Sequence, residues 1–287
     1  MQDLDALQKV MRLLSERGVQ MNLEVYGVII AAAAKCTSSS SSEACLAVGK
    51  QAWQQMKLDS YEPRGGHLGA ALSLCANAGD PNWARQLWLE LPKPSITQLT
   101  SYLVALAAHE APSLTWSTIF AEICKAKVSG PYPTEFLLAE LLNVAAKQRD
   151  SKTAQRLWQE LSKFNVCKLR PETFHAFAKA LLLGGDPAGV RPLTKDMLHV
   201  GVPPNFRNFL CEAQALLLLL HESPARQTAR QELCRSLDEG LQRATAEKRS
   251  SKDFALMKAI RRLADVIEGG ESIPVSQIRI LWPGKWA

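Results

Sequence analysis

The densest chemistry in this chain is cationic. Lys248, Arg249, Lys252, Lys258, Arg261 and Arg262 crowd one C-terminal stretch, with Phe254 and Leu256 among them. Closely spaced ammonium and guanidinium groups neutralise phosphates and release their counterions, so this stretch is a candidate contact for an RNA backbone. Nothing comparable points to catalysis. The five histidines are isolated, Asp and Glu are dispersed, and there is neither a Gly-rich phosphate loop nor a nucleophile elbow. The seven cysteines, at 36, 45, 75, 124, 167, 211 and 234, are odd in number and form no CxxC or Cys/His cluster. That pattern argues against a disulfide framework and a zinc site, and fits a reducing compartment. The expectation is a non-enzyme with no metal, no cofactor and no small-molecule substrate.

Such groups need a frame, and the composition supplies one. At 287 residues, 47% hydrophobic and 22% charged, the chain can bury a large core. The longest apolar run, around Ala213 to Leu220, is too short to cross a bilayer, so membrane insertion is not expected. The N-terminus shows neither a secretory apolar region nor an acid-poor transit segment, because Asp3, Asp5 and Glu16 intervene. A net charge of +6 permits nucleic-acid contact without requiring it.

The frame is repetitive. Trp53, Trp88 and Trp158 lie on a lattice of 35 and 70 residues, and the phrase ARQLWLEL at 84–91 returns as AQRLWQEL at 154–161. Its apolar residues, Ala84, Leu87, Trp88 and Leu91, then Ala154, Leu157, Trp158 and Leu161, have the i, i+3, i+4, i+7 spacing of one helix face. A second helix precedes each of these. Its stripe recurs as Tyr26-Ile29-Ile30-Ala33, Leu68-Ala71-Leu72-Cys75, Leu99-Tyr102-Leu103-Leu106, Leu138-Leu141-Leu142-Ala145 and Phe174-Phe177-Ala178-Leu181, its anchors stepping by 42, 31, 39 and 36 residues. Between paired helices stand Ala78-Gly79-Asp80, Gln148-Arg149-Asp150 and Gly184-Gly185-Asp186, where Gly ends one helix and Asp caps the next. Ser38 to Ser42 lengthen one inner loop, a cheap insertion at about 0.6 kcal/mol per doubling of loop length. The fold expected is all-α, a right-handed α-solenoid of stacked helical hairpins with a C-terminal helical cap.

These repeats resemble the pentatricopeptide repeat. The likeness rests on an anchor opening the first helix, Ala-Gly-Asp at 78–80, the Ala-x-x-Leu-Trp second helix, and the closing Gly201-Val202-Pro203-Pro204-Asn205. It covers residues 6 to 205, a terminal half-repeat plus about five pairs. The tetratricopeptide pattern is disfavoured, because its Trp belongs in the first helix. The resemblance implies single-stranded RNA bound in a mitochondrion or chloroplast, one base per repeat, read by the residue after each anchor and the last residue of each repeat. Those positions are Gly27, Gly69, Thr100, Ala139 and His175, then Arg64, a residue near Ser95, Thr134, Arg170 and Asn205. Thr100 with Thr134, and His175 with Asn205, are the polar pairs; Arg64 and Arg170 would meet phosphates at the groove edge. Gly27, Gly69 and Ala139 carry no side-chain donor or acceptor, which departs from the family's pattern.

The organisation expected is therefore a solenoid over 1–205, a helical cap over 206–269 and an apolar tail over 270–287. Glu212 breaks the stripe opened by Phe209, and Leu216 to Leu220 are greasy on every side, so that helix must be buried. The tail carries Ile280, Trp282 and Trp286, an apolar set suited to docking on a partner. Two readings follow. In one, the chain binds single-stranded RNA in the solenoid groove and serves RNA processing, stability or translation. In the other, it is a non-catalytic scaffold in a larger organellar assembly, such as a ribosome or membrane complex, with protein partners on the solenoid.

Overall fold

The structure is a computed structural model that describes residues 4–37, 41–91, 93–109, 119, 121–123, 135–161, 169–222 and 226–268. Thr134, the tail with Ile280, Trp282 and Trp286, the serine loop at 38–40, Cys124 and Cys167 lie outside the described residues. All regular structure among the described residues is helical. The chain divides into two compact units, Met1–Thr134 and Glu135–Ala287.

Unit 1 contains α1 (Leu4–Glu16), α2 (Leu23–Cys36), α3 (Ser42–Leu58), α4 (Gly65–Ala78), α5 (Pro81–Leu89) and α6 (Ile96–His109). Helices α2, α4 and α6 lie side by side, while α3 packs on both α2 and α4, and α5 on both α4 and α6. Unit 2 repeats the scheme. It contains α7 (Glu135–Gln148), α8 (Ser151–Leu161), α9 (Pro171–Leu183), α10 (Leu193–His199), α11 (Phe206–Glu222), α12 (Arg226–Ala246) and α13 (Ser251–Glu268). There α7, α9 and α11 form one layer, α8 bridges α7 and α9, and α10 bridges α9 and α11. Each unit is thus a two-layer stack of helical hairpins, in which neighbours bury each other's stripes.

The periodic residues do what their spacing requires. All five first-helix stripes are buried, from Tyr26 through Leu181, as are Ala84, Leu87, Ala154, Leu157 and Leu161. Burying such a stripe gives roughly 1.5–3 kcal/mol per large aliphatic side chain, which is the main force holding hairpin to hairpin. The tryptophans tie successive hairpins. Trp88 stacks on Tyr102 of the next helix at 4.5 Å between ring centroids, and Trp158 stacks on Phe177 at 4.4 Å. Tyr102 and Phe177 occupy the same place in their repeats, three residues past the anchor. Trp53 meets Trp83 edge to face at 6.1 Å.

The three inner turns share one geometry. Their middle residues Gly79, Arg149 and Gly185 all take left-handed backbone, with φ of +85°, +57° and +81°. The following Asp then caps: Asp80 accepts from the Trp83 amide at 2.9 Å, Asp150 from Thr153 at 3.0 Å, and Asp186 from Gly189 at 3.0 Å. Two of these carboxylates also reach back to the preceding hairpin, Asp80 to Lys50 at 2.5 Å and Asp186 to Gln155 at 2.7 Å.

A second tie was not apparent in the sequence. The third residue of α4, α6 and α11 accepts from the backbone N–H that precedes its own helix: His67 from Arg64 at 3.1 Å, Gln98 from Ser95 at 2.8 Å, Asn208 from Asn205 at 3.0 Å. The other polar atom of the same side chain meets the first carbonyl of the previous layer helix, at Leu23 (3.1 Å), Gly65 (2.6 Å) and Pro171 (3.0 Å). Between α9 and α7 the third residue, Thr173, donates instead to the Glu135 carboxylate. One side chain caps a helix end and ties it to its neighbour, satisfying the otherwise orphaned N–H that precedes its own helix.

The stacking continues directly into 206–269, the residues expected to form the helical cap. Helix α11 takes the layer position next to α9 and carries the Asn208 tie, α12 packs against α11, and α13 covers both. The break in periodicity at Glu212 concealed this. Glu212 occupies a core position, 2% exposed, where its carboxylate accepts from Thr194 at 2.9 Å and lies 3.7 Å from Arg235. Burial raises its pKa, opposed by the Thr194 and Ser236 hydrogen bonds. Leu216, Leu217, Leu218 and Leu220 are buried, as their all-round greasiness requires.

Candidate nucleic-acid interface

The layer helices present their stripes to the core and turn the opposite face outward. In unit 1 that face is largely taken up by packing. At Gly27 a Cβ would stand 2.8 Å from the His67 ring, so the glycine is there to admit the imidazole that bonds to Leu23. At Gly69 a Cβ would meet Gln98 at 3.6 Å. Thr100 is 3% exposed and its hydroxyl donates to the Ile96 carbonyl at 2.9 Å, turned onto its own helix and away from any groove. Arg64 is exposed at the start of α4.

Unit 2 is different. A groove of about 910 Å³ runs across α7, α9 and α11, with Arg249 and Asp253 from the start of α13 at its edge. It gathers Ala139, His175 and Arg170 of the sequence-derived set, together with groups that the sequence reading passed over: Phe136, Glu140, Asn143, Lys179 and Arg207. These sit in register. Phe136, Glu172 and Arg207 each lie two residues before a layer-helix anchor, and Asn143 and Lys179 five residues after. The signal was available in the sequence as the helix positions opposite each buried stripe. The resemblance assigns other positions, the residue after each anchor and the last residue of each repeat.

The remaining candidates are placed as follows. Arg170 is exposed at the start of α9, 3.6 Å from the Glu135 carboxylate. Asn205 caps α11, its side-chain Oδ1 accepting from the backbone N–H of Arg207 at 3.0 Å and of Asn208 at 3.2 Å, so that acceptor is already engaged. The C-terminal basic residues do not form one open patch. Arg249 pairs with Glu247 at 3.0 Å and lies over the Phe206 ring at 5.6 Å, while Arg261 pairs with Asp238. Lys248, Lys252, Lys258 and Arg262 remain exposed.

Charge in the groove is mixed, since Arg170, Lys179, Arg207 and Arg249 face Glu135, Glu140, Glu172 and Asp253. Several of these charges are already engaged. Glu135 is held by Arg170 and Thr173, and Asp253 accepts from Ser250 at 3.1 Å. Arg207 is exposed and makes no ion pair among the described residues.

His175 sits at the centre, 3.4 Å from the Cys211 sulfur. Burial, reinforced by the cations Arg207 and Lys179, pushes its pKa down to about 4, so it is neutral at pH 7. The unfolded chain, with an ordinary histidine, binds the proton more readily between about pH 6.5 and 4, so acidification through that window destabilises the fold. Between pH 6.5 and 5 His175 is expected to withdraw about 1–2 kcal/mol of stability. Thermal melts of the wild type and of His175→Gln at pH 7 and pH 5 test this; an equal pH sensitivity in both would refute it.

Among the described residues no group of three His, Cys, Asp or Glu could hold a metal ion, and no helix is long and apolar enough to cross a membrane. Cys36, Cys45, Cys75 and Cys211 are buried free thiols, and burial raises the Cys75 and Cys211 pKa values, that of Cys211 to about 12.

A capped inner turn joins two stacked layers on a period near 35 residues, the helical-hairpin stack that the sequence led us to expect. Among solved structures, the chain is similar to the PPR domain of Arabidopsis thaliana protein-only RNase P 1 in complex with tRNA, at 16% identity and a TM-score of 0.47 over 67% of this chain and 95% of that one. It is also similar to the pentatricopeptide repeat protein PPR10 in complex with an 18-nt psaJ RNA element, at 12% identity and a TM-score of 0.42, and to PPR10 from maize, at 13% and 0.36. The match to the RNA-bound PPR10 structure covers 94% of this chain and 44% of that one. No protein-family model and no curated protein matches the sequence.

Proposed function

We propose that this pentatricopeptide-like chain binds single-stranded RNA along the outward face of its layer helices in unit 2, and that it acts by binding rather than by catalysis. The observation that carries the reading is the groove itself. It combines an aromatic ring that is 55% exposed, Phe136, with Arg207, Lys179 and Arg170. Exposed aromatics stack on bases and guanidinium or ammonium groups meet phosphates, the pairing that single-stranded nucleic acid requires. The mixed charge predicts a modest, few-nucleotide contact. A role in organellar RNA processing, stability or translation, in a mitochondrion or chloroplast, is the setting that the repeat type suggests.

The test is a titration of the purified chain with short single-stranded RNA across a range of salt. Dissociation constants at or below about 10 µM near physiological salt, weakening as a power of salt concentration, are expected. Absence of binding at about 100 µM would overturn the proposal, because even non-specific contacts commonly reach 10⁻⁴ to 10⁻⁶ M.

A scaffold role draws on a different observation. Leu7, Val10, Val28, Ala31 and Ala32 line an apolar concavity of about 540 Å³ between α1 and α2, with Val28 66% and Val10 51% exposed. Exposed apolar patches of this kind commonly mark protein contacts. If RNA binding fails, this concavity is the place to look for a protein partner.

A further inference from the structure

Three side chains on α7 face the groove with no internal use. Phe136 is more than half exposed. Glu140 and Asn143 are half-buried in the groove wall, and neither makes an ion pair or hydrogen bond among the described residues. The three stand at i, i+4 and i+7, one stripe directly opposite the buried Leu138, Leu141 and Leu142. Partial burial holds the Glu140 carboxyl above its ordinary range, opposed by the Lys147 charge. The polar atoms of Glu140 and Asn143 open into the groove. A ligand that supplies N–H donors to Glu140 and an acceptor to Asn143 would use both.

We infer that Phe136, Glu140 and Asn143 form a subsite for a guanine base. This rests on the RNA reading above and names the base that the groove prefers. The Watson–Crick edge of guanine offers two adjacent N–H donors, at N1 and N2, next to the O6 acceptor. Glu140 accepts both donors through its two oxygens, the Asn143 amide donates to O6, and the base face lies on the Phe136 ring one turn away. No other base matches. Adenine offers one amino donor on that edge and sets the N1 lone pair against the carboxylate. Cytosine repeats this with N3, and uracil flanks its single N–H with two carbonyls. Across the groove, Arg207 and Lys179 are placed for the flanking phosphates.

The experiment is fluorescence anisotropy of the full chain with nine-nucleotide oligouridines carrying G, A or C at the central position. The G oligomer is expected to bind about tenfold tighter than the A and C oligomers, the discrimination of one good two-point base contact. Glu140→Gln, whose amide donates as well as accepts, should reduce the G-to-A ratio to about threefold or less with an unchanged melting curve. Phe136→Ala should weaken all three oligomers together. Equal binding of the three by the wild type, or a G preference that survives Glu140→Gln, would overturn the guanine subsite while leaving RNA binding intact. Failure of every oligomer would overturn both. Guanosine monophosphate serves as competitor: binding as tight as the G oligomer would keep the guanine subsite but move its ligand to a free nucleotide.

Discussion

Alanine at Trp158 is expected to lower the unfolding free energy of the chain by about 2–4 kcal/mol, the largest single loss predicted for a side chain in the repeats. Trp158 is half-buried, yet its ring lies parallel to Phe177 at 4.4 Å and meets Phe174 at 4.9 Å, so its removal strips both aromatic partners on the next helix. In a stack of hairpins each interface couples two neighbours, and a lost interface weakens cooperativity as well as stability. Trp158→Phe retains an aromatic face and should cost about 1 kcal/mol, separating stacking from bulk. Denaturant unfolding followed by far-UV circular dichroism gives the midpoint and slope. A loss below about 0.5 kcal/mol for the alanine variant would show that the stack contributes little.

Removing both Arg207 and Lys179 is expected to have the largest effect on RNA binding. If each meets one phosphate, the double alanine variant should flatten the slope of log affinity against log salt by about two and weaken binding about 10- to 50-fold near physiological salt. Lys258→Ala with Arg262→Ala is the matched comparison, since those residues are exposed on α13, away from the groove lining. Little change is expected there. If the α13 pair flattened the slope and the groove pair did not, the RNA would lie on the C-terminal basic helix and the groove assignment would fall.

The helical architecture was legible because it is written redundantly. Five copies of one apolar stripe, two copies of a Trp-bearing phrase and three Gly/Arg-Asp turns each specify the same hairpin; the five stripes are buried, the three Asp cap, and Trp88 and Trp158 are half-buried against the next helix. The end of the stack was less legible. A polar residue at a core position, Glu212, reads as a break in the pattern until Thr194, Ser236 and Arg235 are seen around it, drawn from α10 and α12. No local rule announces a buried carboxylate whose partners are remote in sequence.

The functional face was legible least. Gly27 reads in the sequence as an empty reading position, and only the imidazole of His67, 40 residues away, explains the missing side chain. Thr100 reads as a polar candidate, and only its burial and its bond to Ile96 take it out of reach. The sequence alone determined the repeat, its period and its core, because those follow from helical spacing and apolar burial, which act within a single helix. What the tertiary structure decided is which polar groups are consumed in tying helices together and which remain for a ligand. His67, Gln98 and Asn208 spend their hydrogen bonds on the neighbouring helix, whereas Glu140, Asn143 and Arg207 do not. That division depends on distances between residues from different repeats, and a one-dimensional pattern contains no such distances.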